Sequence, residues 1–182
     1  AVGNEGATGV DLDVEPLYPV CYSGTDGEDV VLGVAALDRE DRKPMFSNFG
    51  ANCVDISAPG VDFWGTQFHE PARGLRDLFG GGWSGSSMSA PVVTGVAALI
   101  KAINPAYGPA EIRELILASA DPVDALNPSF KGKLGRGRIN ARRALELAAS
   151  GGVPLSGPSS GIPFLLAAPF SASTPNVKLV RP

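Results

Sequence analysis

Residues 87–103 constrain the fold of this chain more than any other stretch, because apolar side chains occupy nearly every side of the helix that they predict. These apolar positions are Val92, Val93, Val96, Ala97, Ala98, Leu99, Ile100 and Ile103. Pro91 is compatible with the helix, since the amides of a first turn have no intrahelical partner to lose. A helix that is apolar all round lies at the centre of a domain, where other elements cover it. The sequence therefore predicts a buried central helix.

Three apolar segments predict strands beside this helix. Residues 30–37, VVLGVAAL, are apolar on both faces, which favours a parallel sheet covered by helices. Residues 1–6, AVGNEG, predict the end of a strand that runs into a glycine-containing turn. A short strand at residues 54–57 is expected to stop at the Ala-Pro-Gly triplet that follows.

The remainder of the chain predicts one connection and two more helices. Residues 61–82 predict a long irregular connection whose three final glycines form a flexible lead-in to the central helix. Helices are predicted at residues 109–119, with proline at the start, and at residues 141–149, with Asn140 as the N-cap. Strands followed by helices place the chain in the α/β class.

Length and charge exclude several classes of function. With 182 residues the chain is expected to form one domain, residues 1–149, followed by a Gly/Ser/Pro-rich tail or linker at residues 150–182. The net charge is -4 and no basic run is interleaved with aromatics, so we expect no nucleic-acid partner. Apolar stretches fall short of the roughly 20 residues that cross a bilayer, so we expect no membrane span. Because the chain starts at Ala1 without an initiator Met, any targeting signal is expected to be absent or removed.

Cys21 and Cys53 are the only cysteines, too few and too far apart for a zinc site with four clustered ligands. Their even number and an expected secreted setting favour a disulfide. It would close a loop of about 30 residues and contribute on the order of 3 to 4 kcal/mol. The alternative is two buried free thiols.

Ser87 is a candidate nucleophile at the start of the central helix. A serine hydroxyl needs an adjacent base, usually a histidine oriented by a carboxylate. The free amides of a helix N-terminus favour developing negative charge, and the Ser87 amide can donate to an oxyanion. Asn4, at the end of a predicted strand, can supply a second donor, since helix and strand ends meet at the carboxyl edge of an α/β sheet. Taken singly, both residues also fit ordinary turns.

Four blocks of sequence, taken together, resemble the subtilisin-like serine proteases. The blocks are AVGNEG at residues 1–6, FSNFG with VDISAPG within residues 46–60, GSSMSAPVVTGVAALI at residues 85–100, and GRGRINARRAL at residues 135–145. Their order and spacing match only the C-terminal half of a catalytic domain of that family. The resemblance implies the C-terminal part of a three-layer α/β fold, with a parallel sheet and a central helix that starts at the nucleophile.

The resemblance also implies a role for each matched residue. Ser87 corresponds to the nucleophile and Asn4 to the side-chain oxyanion donor, and the subtilisins are the familiar example of both. Residues 1–3, including Ala1 and Gly3, would form one wall of the pocket for the residue before the scissile bond. Ser86, at a position usually held by Thr, is expected to be a substrate-binding residue together with Ala1 and Gly3.

Some members of the family bind Ca²⁺, which prefers carboxylate and carbonyl oxygens. Asp55 matches an aspartate that serves such a site, with backbone oxygens near Asp29 and Val31 as companions. The alternative is that Asp55 hydrogen-bonds loop amides. No cofactor is expected to be required for the reaction.

The base and its carboxylate are the missing part of the implied site. In the family the order is Asp, His, Ser, and the first two lie upstream of the segment that corresponds to residue 1. His69 lies where the family has no catalytic histidine and is expected to be an exposed loop residue. We therefore expect the Asp and His to come from the N-terminal half of the same protease or from another subunit, which would also cover the central helix. The chain alone is expected to be inactive.

Three hypotheses for the function follow. The first is a segment of a secreted or extracytoplasmic serine endopeptidase that hydrolyses protein or peptide substrates through an acyl-enzyme on Ser87. The second is a non-catalytic protease remnant that serves as a structural subunit, with its Pro-rich tail along a partner. The third is that the sequence is part of a larger protein with ordinary protease activity.

Overall fold

The computed structural model describes residues 1–24 and 30–151. The elements in these ranges are β1 (Val34–Leu37), β2 (Ile56–Pro59), β3 (Phe63–Thr66), β4 (Phe79–Trp83), α1 (Ser86–Ile103), α2 (Pro109–Ala118) and α3 (Ala141–Ala149). Short 3-10 helices lie at Pro71–Arg73, Asp124–Leu126 and Pro128–Phe130. The predicted tail lies outside the described residues from position 152 onwards, so the boundary at residue 149 stays a prediction.

The strands β1 and β2 form a parallel pair, which confirms the predicted α/β class. Their register runs from Val34 opposite Ile56 to Leu37 opposite Pro59. The prediction that the second strand stops at residue 57 is wrong, because β2 continues through the buried Ala58. Pro59 is tolerated as the final residue, where no further ladder hydrogen bond is needed.

Two irregular segments extend this parallel pair on either side. The backbone N–H of Val2 donates to the carbonyl of Val34 at 3.1 Å, so residues 1–3 run beside β1 without forming a regular strand. On the other side, Ser57 exchanges backbone hydrogen bonds of 2.8 Å with Gly137 and Ile139. The sheet therefore collects segments from the start, middle and end of the domain.

Helix α1 packs against both parallel strands and both other helices, as predicted for a central helix. Its buried residues are Ser86, Ser89, Val93, Val96 and Ile100. Two apolar side chains that flank this buried face remain exposed within the described residues, Leu99 at 51% and Ile103 at 43%. The helix begins one residue earlier than predicted. The surrounding elements thus leave part of the apolar surface of the helix uncovered.

Among the described residues, α1 is also the one helix that is long and apolar enough to cross a membrane by length and composition. Its contacts with β1, β2, α2 and α3 are those of a core helix. The expected absence of a membrane span stays a prediction.

Helices α2 and α3 start as their sequences predict. Pro109 is the first residue of α2, and the Glu111 carboxylate accepts a 2.9 Å hydrogen bond from the Gly108 backbone. The Asn140 side chain accepts a 2.9 Å hydrogen bond from the Arg143 backbone, which confirms the predicted N-cap of α3. Both caps satisfy amides that the helices themselves leave free.

Residues 61–83, called the arm below, contain the antiparallel pair β3 and β4, so the prediction of an irregular connection is wrong. Two of the glycines of β4 give space to side chains: a Cβ at Gly81 would lie 2.1 Å from Trp64 Cδ2, and one at Gly80 would lie 1.8 Å from Gln67 Nε2. Gly82 has a φ of +79° and lies at an irregularity in the pairing, where Trp83 opposes Phe63 and Gly81 opposes Trp64. These glycines are part of a strand instead of a flexible lead-in.

The disulfide predicted between Cys21 and Cys53 is present, with a Cα–Cα distance of 4.8 Å. It joins the loop after the first segment to the residues just before β2. Cys53 belongs to a second apolar cluster with Val2, Leu37 and Leu134, on the side of the sheet away from α1. The disulfide thus fixes the loop that starts at the candidate site to the core.

Candidate active site

Ser87 lies in the first turn of α1, and its side chain is exposed. Gly85 precedes the helix and provides no side chain to cap the free amides. Within the described residues, no hydrogen bond engages the Ser87 hydroxyl. The candidate nucleophile is therefore accessible, and it lies where a helix N-terminus stabilises negative charge.

Asn4 and the helix start are joined directly, as the sequence predicts. The backbone N–H of Ser86 donates to Asn4 Oδ1 at 2.8 Å. This bond fixes the orientation of the amide group and leaves Asn4 Nδ2 without a partner among the described residues. A Cβ at Gly85 would lie 3.3 Å from Asn4 Nδ2, so only glycine leaves this approach uncrowded. The amide NH₂ of Asn4 is consequently available to an incoming acceptor beside Ser87.

The Ser86 side chain holds the segment that carries Asn4. Its hydroxyl accepts from Gly3 N at 3.1 Å and donates to Gly3 O at 3.2 Å. Ser86 is fully buried, so any effect of this side chain on a substrate passes through Gly3. The role predicted for Ser86 as a substrate-binding residue stays a prediction, as do those of Ala1 and Gly3.

Asn48 organises the loop around Asn4, and sequence reasoning missed it. Its Oδ1 accepts from Val10 N at 2.8 Å and Glu5 N at 3.2 Å, while its Nδ2 donates to Val2 O at 3.0 Å and to the Glu5 carboxylate. Asn48 is buried, and these bonds satisfy its polar atoms. The available signal was its position in the FSNFG block.

Gly60 positions the N-terminus of α1 against the sheet. Its backbone donates to Leu37 O at 2.9 Å and accepts from Gly85 N at 2.8 Å. A Cβ here would lie 2.3 Å from Ser89 Oγ and 2.6 Å from Ala36 Cβ. This glycine of the predicted stop signal is therefore a contact point between β1 and the nucleophile's helix.

Lys43 binds the loops next to the candidate site. Its ammonium donates to the carbonyls of Thr8, Pro44 and Met45 at 3.1 Å each. It also lies over the rings of Phe49 and Phe130, 5.1 and 4.6 Å from their centroids. Burial lowers the pKa of Lys43 to about 8. One partly buried cation thus links the loop after Asn4 to an aromatic pair.

Asp55 is engaged by donors from the chain itself. Its Oδ2 accepts from Gly33 N at 2.6 Å and its Oδ1 accepts from the Arg113 guanidinium at 2.5 Å. Arg113 also donates to the Val31 carbonyl at 3.4 Å. The Asp55 carboxylate and the Val31 carbonyl do lie near each other, but both accept from the Arg113 guanidinium. The hydrogen bond from Gly33 N agrees with the alternative role, in which Asp55 binds loop amides. A calcium site at Asp55 stays a prediction.

Two observations bear on that calcium site. Asp29, the other expected companion of Asp55, lies outside the described residues. No group of three or more His, Cys, Asp or Glu in the described part suits a metal ion.

His69 lies exposed on the arm, and no hydrogen bond connects it to Ser87. This placement agrees with the expected loop histidine. The described residues therefore bring the candidate nucleophile Ser87 and the candidate oxyanion donor Asn4 together, and within this part of the chain no histidine lies in hydrogen-bond contact with Ser87.

An accessible serine at a helix N-terminus, held beside a free asparagine amide, is the arrangement expected for the nucleophile and oxyanion donor of a serine hydrolase. The model of the subtilase family matches residues 1–143, and the chain belongs to that family. The predicted resemblance is confirmed, together with the subtilisin-like α/β fold.

Individual relatives agree with this assignment. The chain is 36% identical over 146 residues to the thermostable alkaline protease of Halalkalibacterium halodurans, covering 80% of this chain and 33% of that protein. It is 31% identical over 144 residues to subtilisin BL of Lederbergia lenta, covering 79% and 44%. Among solved structures, a chain from the subtilase cytotoxin SubAB assembly superposes with a TM-score of 0.57 at 27% identity, covering 80% and 47%. The chain thus spans between a third and a half of these proteins.

Proposed function

We propose that this chain is the nucleophile-bearing part of a serine endopeptidase. Ser87 Oγ attacks the carbonyl carbon of a peptide bond, while Asn4 Nδ2 and the Ser87 N–H donate to the oxygen that becomes negative. The peptide bond then breaks, its nitrogen leaves as an amine with the proton taken from Ser87, and water hydrolyses the acyl-enzyme. The hydrogen bond between Ser86 N and Asn4 Oδ1 carries the proposal, because it aims the amide NH₂ outward.

The general base in this proposal is a histidine, oriented by an aspartate, from outside residues 1–182. It belongs either to the N-terminal half of the same protease or to another subunit. The coverage of the relatives supports this, since the chain spans 33% and 44% of two of them. The exposed Leu99 and Ile103 of α1 support it as well, because a partner segment would remove these apolar side chains from water. The partner segment would supply proton transfer and cover for α1 together.

The substrate class in this proposal is protein or peptide, and the location is secreted or extracytoplasmic. The family supports peptide-bond hydrolysis. The Cys21–Cys53 disulfide supports an oxidising compartment, where such bonds persist. No cofactor enters the proposed reaction.

A fluorophosphonate probe tests the proposal. It should label Ser87 in the assembly of this chain with its complementary segment, and the Ser87→Ala variant should remain unlabelled. Ser84→Ala is the matched control, since Ser84 is an exposed serine three residues earlier whose hydroxyl accepts from Asp62 N. An assembly whose wild-type Ser87 resists labelling would contradict the proposed activity.

The second candidate function is a structural subunit derived from a protease. The observation that favours it is that no described residue hydrogen-bonds the Ser87 hydroxyl. It predicts that no segment with a catalytic aspartate and histidine accompanies the chain, and that Ser87 is not labelled. The labelling experiment and the composition of the purified assembly therefore separate the two functions.

A further inference from the structure

The arm carries an exposed aromatic face that the proposed reaction does not use. Trp64 is 69% and Phe79 is 65% exposed. Trp64 pairs with Gly81, and Thr66, two residues further along β3, pairs with Phe79. Trp64 and Phe79 are therefore diagonal neighbours on one face, at a separation of about 7 to 8 Å that aromatic rings can span.

The Trp64 ring is exposed but held in one orientation. It lies across Gly81, and its indole N–H donates to Asp62 Oδ1 at 3.2 Å. Asp62 is fixed in turn by Arg39 at 2.5 Å and by its own N–H, which donates to Ser84 Oγ at 3.0 Å. A ring fixed before binding loses little conformational freedom on binding. Aromatic side chains of this kind contribute much of the energy in recognition surfaces.

The arm is continuous with the nucleophile. Gly81, beneath the Trp64 ring, precedes Ser87 by six residues, which limits their Cα separation to about 20 Å. An extended peptide rises about 3.3 Å per residue, so roughly six substrate residues cover this distance. A polypeptide held at Ser87 can therefore reach the Trp64–Phe79 face.

The charge of the arm indicates what kind of partner it suits. Residues 61–83 contain three acidic side chains, Asp62, Glu70 and Asp77, and two basic ones, Arg73 and Arg76. This near balance provides no attraction for a polyanion or an anionic membrane surface. We therefore expect the Trp64–Phe79 face to bind a partner through apolar contacts.

We propose that the Trp64–Phe79 face is an exosite that binds apolar side chains of an extended polypeptide substrate, within roughly six residues of the scissile bond. This inference rests on the proposed peptidase function. It makes the chain selective for long substrates with apolar side chains remote from the cleaved bond, while short peptides bind without the arm.

Peptide binding on a Ser87→Ala background tests the exosite without any need for turnover. The probe is a fluorescein-labelled peptide of about twenty residues, long enough to pass Ser87 and reach the arm, with Leu and Phe in its outer thirds. In the assembly, adding Trp64→Ala or Phe79→Ala should raise the Kd measured by fluorescence anisotropy about tenfold. Tyr22→Ala, which removes an exposed aromatic ring outside the arm, should leave the Kd unchanged.

Two further measurements separate the outcomes. A peptide with Ser in place of the outer Leu and Phe should bind equally to all variants, and fluorophosphonate labelling in the Ser87 background should not change with Trp64→Ala or Phe79→Ala. An unchanged Kd in both arm variants overturns the exosite, as does self-association of the assembly that these variants abolish. Failure to label wild-type Ser87 contradicts the peptidase instead, and the anisotropy result still decides the exosite.

Discussion

Asn4 and Ser86 meet across 82 positions of sequence through one hydrogen bond, from the Ser86 backbone N–H to Asn4 Oδ1 at 2.8 Å. The bond uses the acceptor end of the amide and leaves its donor end for an oxyanion. If Asn4 is the proposed oxyanion donor, one end of its amide positions the group and the other end acts on the substrate, which leads to the first prediction.

Replacing Asn4 with Ala or Asp should lower kcat by about 10²- to 10³-fold with little change in KM, in the range known for the asparagine donor of subtilisin. The Asn4→Asp variant would keep an acceptor for Ser86 N but would add a carboxylate where negative charge develops in the reaction. Steady-state kinetics on a short peptide measure this. Equal kcat values for Asn4→Ala and the wild type would contradict the role of Asn4 as an oxyanion donor.

Ser86→Ala should destabilise the domain by about 1 to 3 kcal/mol, because it leaves a Gly3 N–H without its partner. Ser86→Thr keeps the hydroxyl and is the matched control. Urea unfolding gives the free energies, and the KM for substrates that differ in the residue before the scissile bond reports the position of Gly3. A Ser86→Ala variant with wild-type stability and KM would show that the two hydrogen bonds between Ser86 and Gly3 are not needed.

Gly60→Ala should cost on the order of 1 to 3 kcal/mol through overpacking, since its Cβ would overlap Ser89 Oγ and Ala36 Cβ. It should also slow labelling of Ser87, because Gly60 sets the start of α1. Gly65→Ala is a milder control, with its nearest neighbour at 4.0 Å. Comparable unfolding free energies for both variants would contradict the assigned contact.

Gly95 distinguishes the chain alone from the assembly. No atom lies within 4 Å of a Cβ built at this exposed position of α1, so Gly95→Ala should stabilise the isolated helix by about 0.5 to 1 kcal/mol. A complementary segment packed closely on this face should instead bind Gly95→Ala more weakly. Titration of the chain with that segment measures the affinity, and an unchanged affinity would place the partner elsewhere.

Lys43 should make stability depend on pH. Burial lowers the pKa of Lys43 to about 8 in the folded protein, below its usual 10.5, so the folded state releases this proton before the unfolded state does. The resulting destabilisation is fully present below pH 8 and is relieved as the pH rises from 8 to 10.5. Urea unfolding across this range should show rising stability, and Lys43→Met should flatten the rise relative to Lys131→Met, which alters an exposed lysine. Identical profiles for the two variants would contradict the shift.

Local signals explain what the sequence predicts well. The central helix, the two later helices and the Asn140 cap depend on periodicity and on residues within one turn of each other. The arm depends on a different kind of information. Three consecutive glycines predict a loop when only their neighbours in sequence are considered, whereas in the fold they lie in β4, which pairs with β3, and two of them lie against the side chains of Trp64 and Gln67.

The candidate site divides in the same way. Ser87 and Asn4 are recognisable because their residue types and blocks are distinctive. Asn48 binds atoms 38 and 43 positions away in sequence, and Asp55 binds an arginine 58 positions away. Neither partnership has a local pattern, so the guanidinium that meets the Asp55 carboxylate could not be predicted from the residues around it.

The link between Asn4 and Ser86 also affects when the site can exist. A chain must close a loop of 82 residues before the amide reaches the helix start, and such non-local contacts form slowly because closure costs conformational entropy. The candidate nucleophile, Ser87, therefore has no Asn4 amide beside it while the domain is still unfolded. In the proposed peptidase, the oxyanion site would therefore appear together with the folded domain and not with the helix alone.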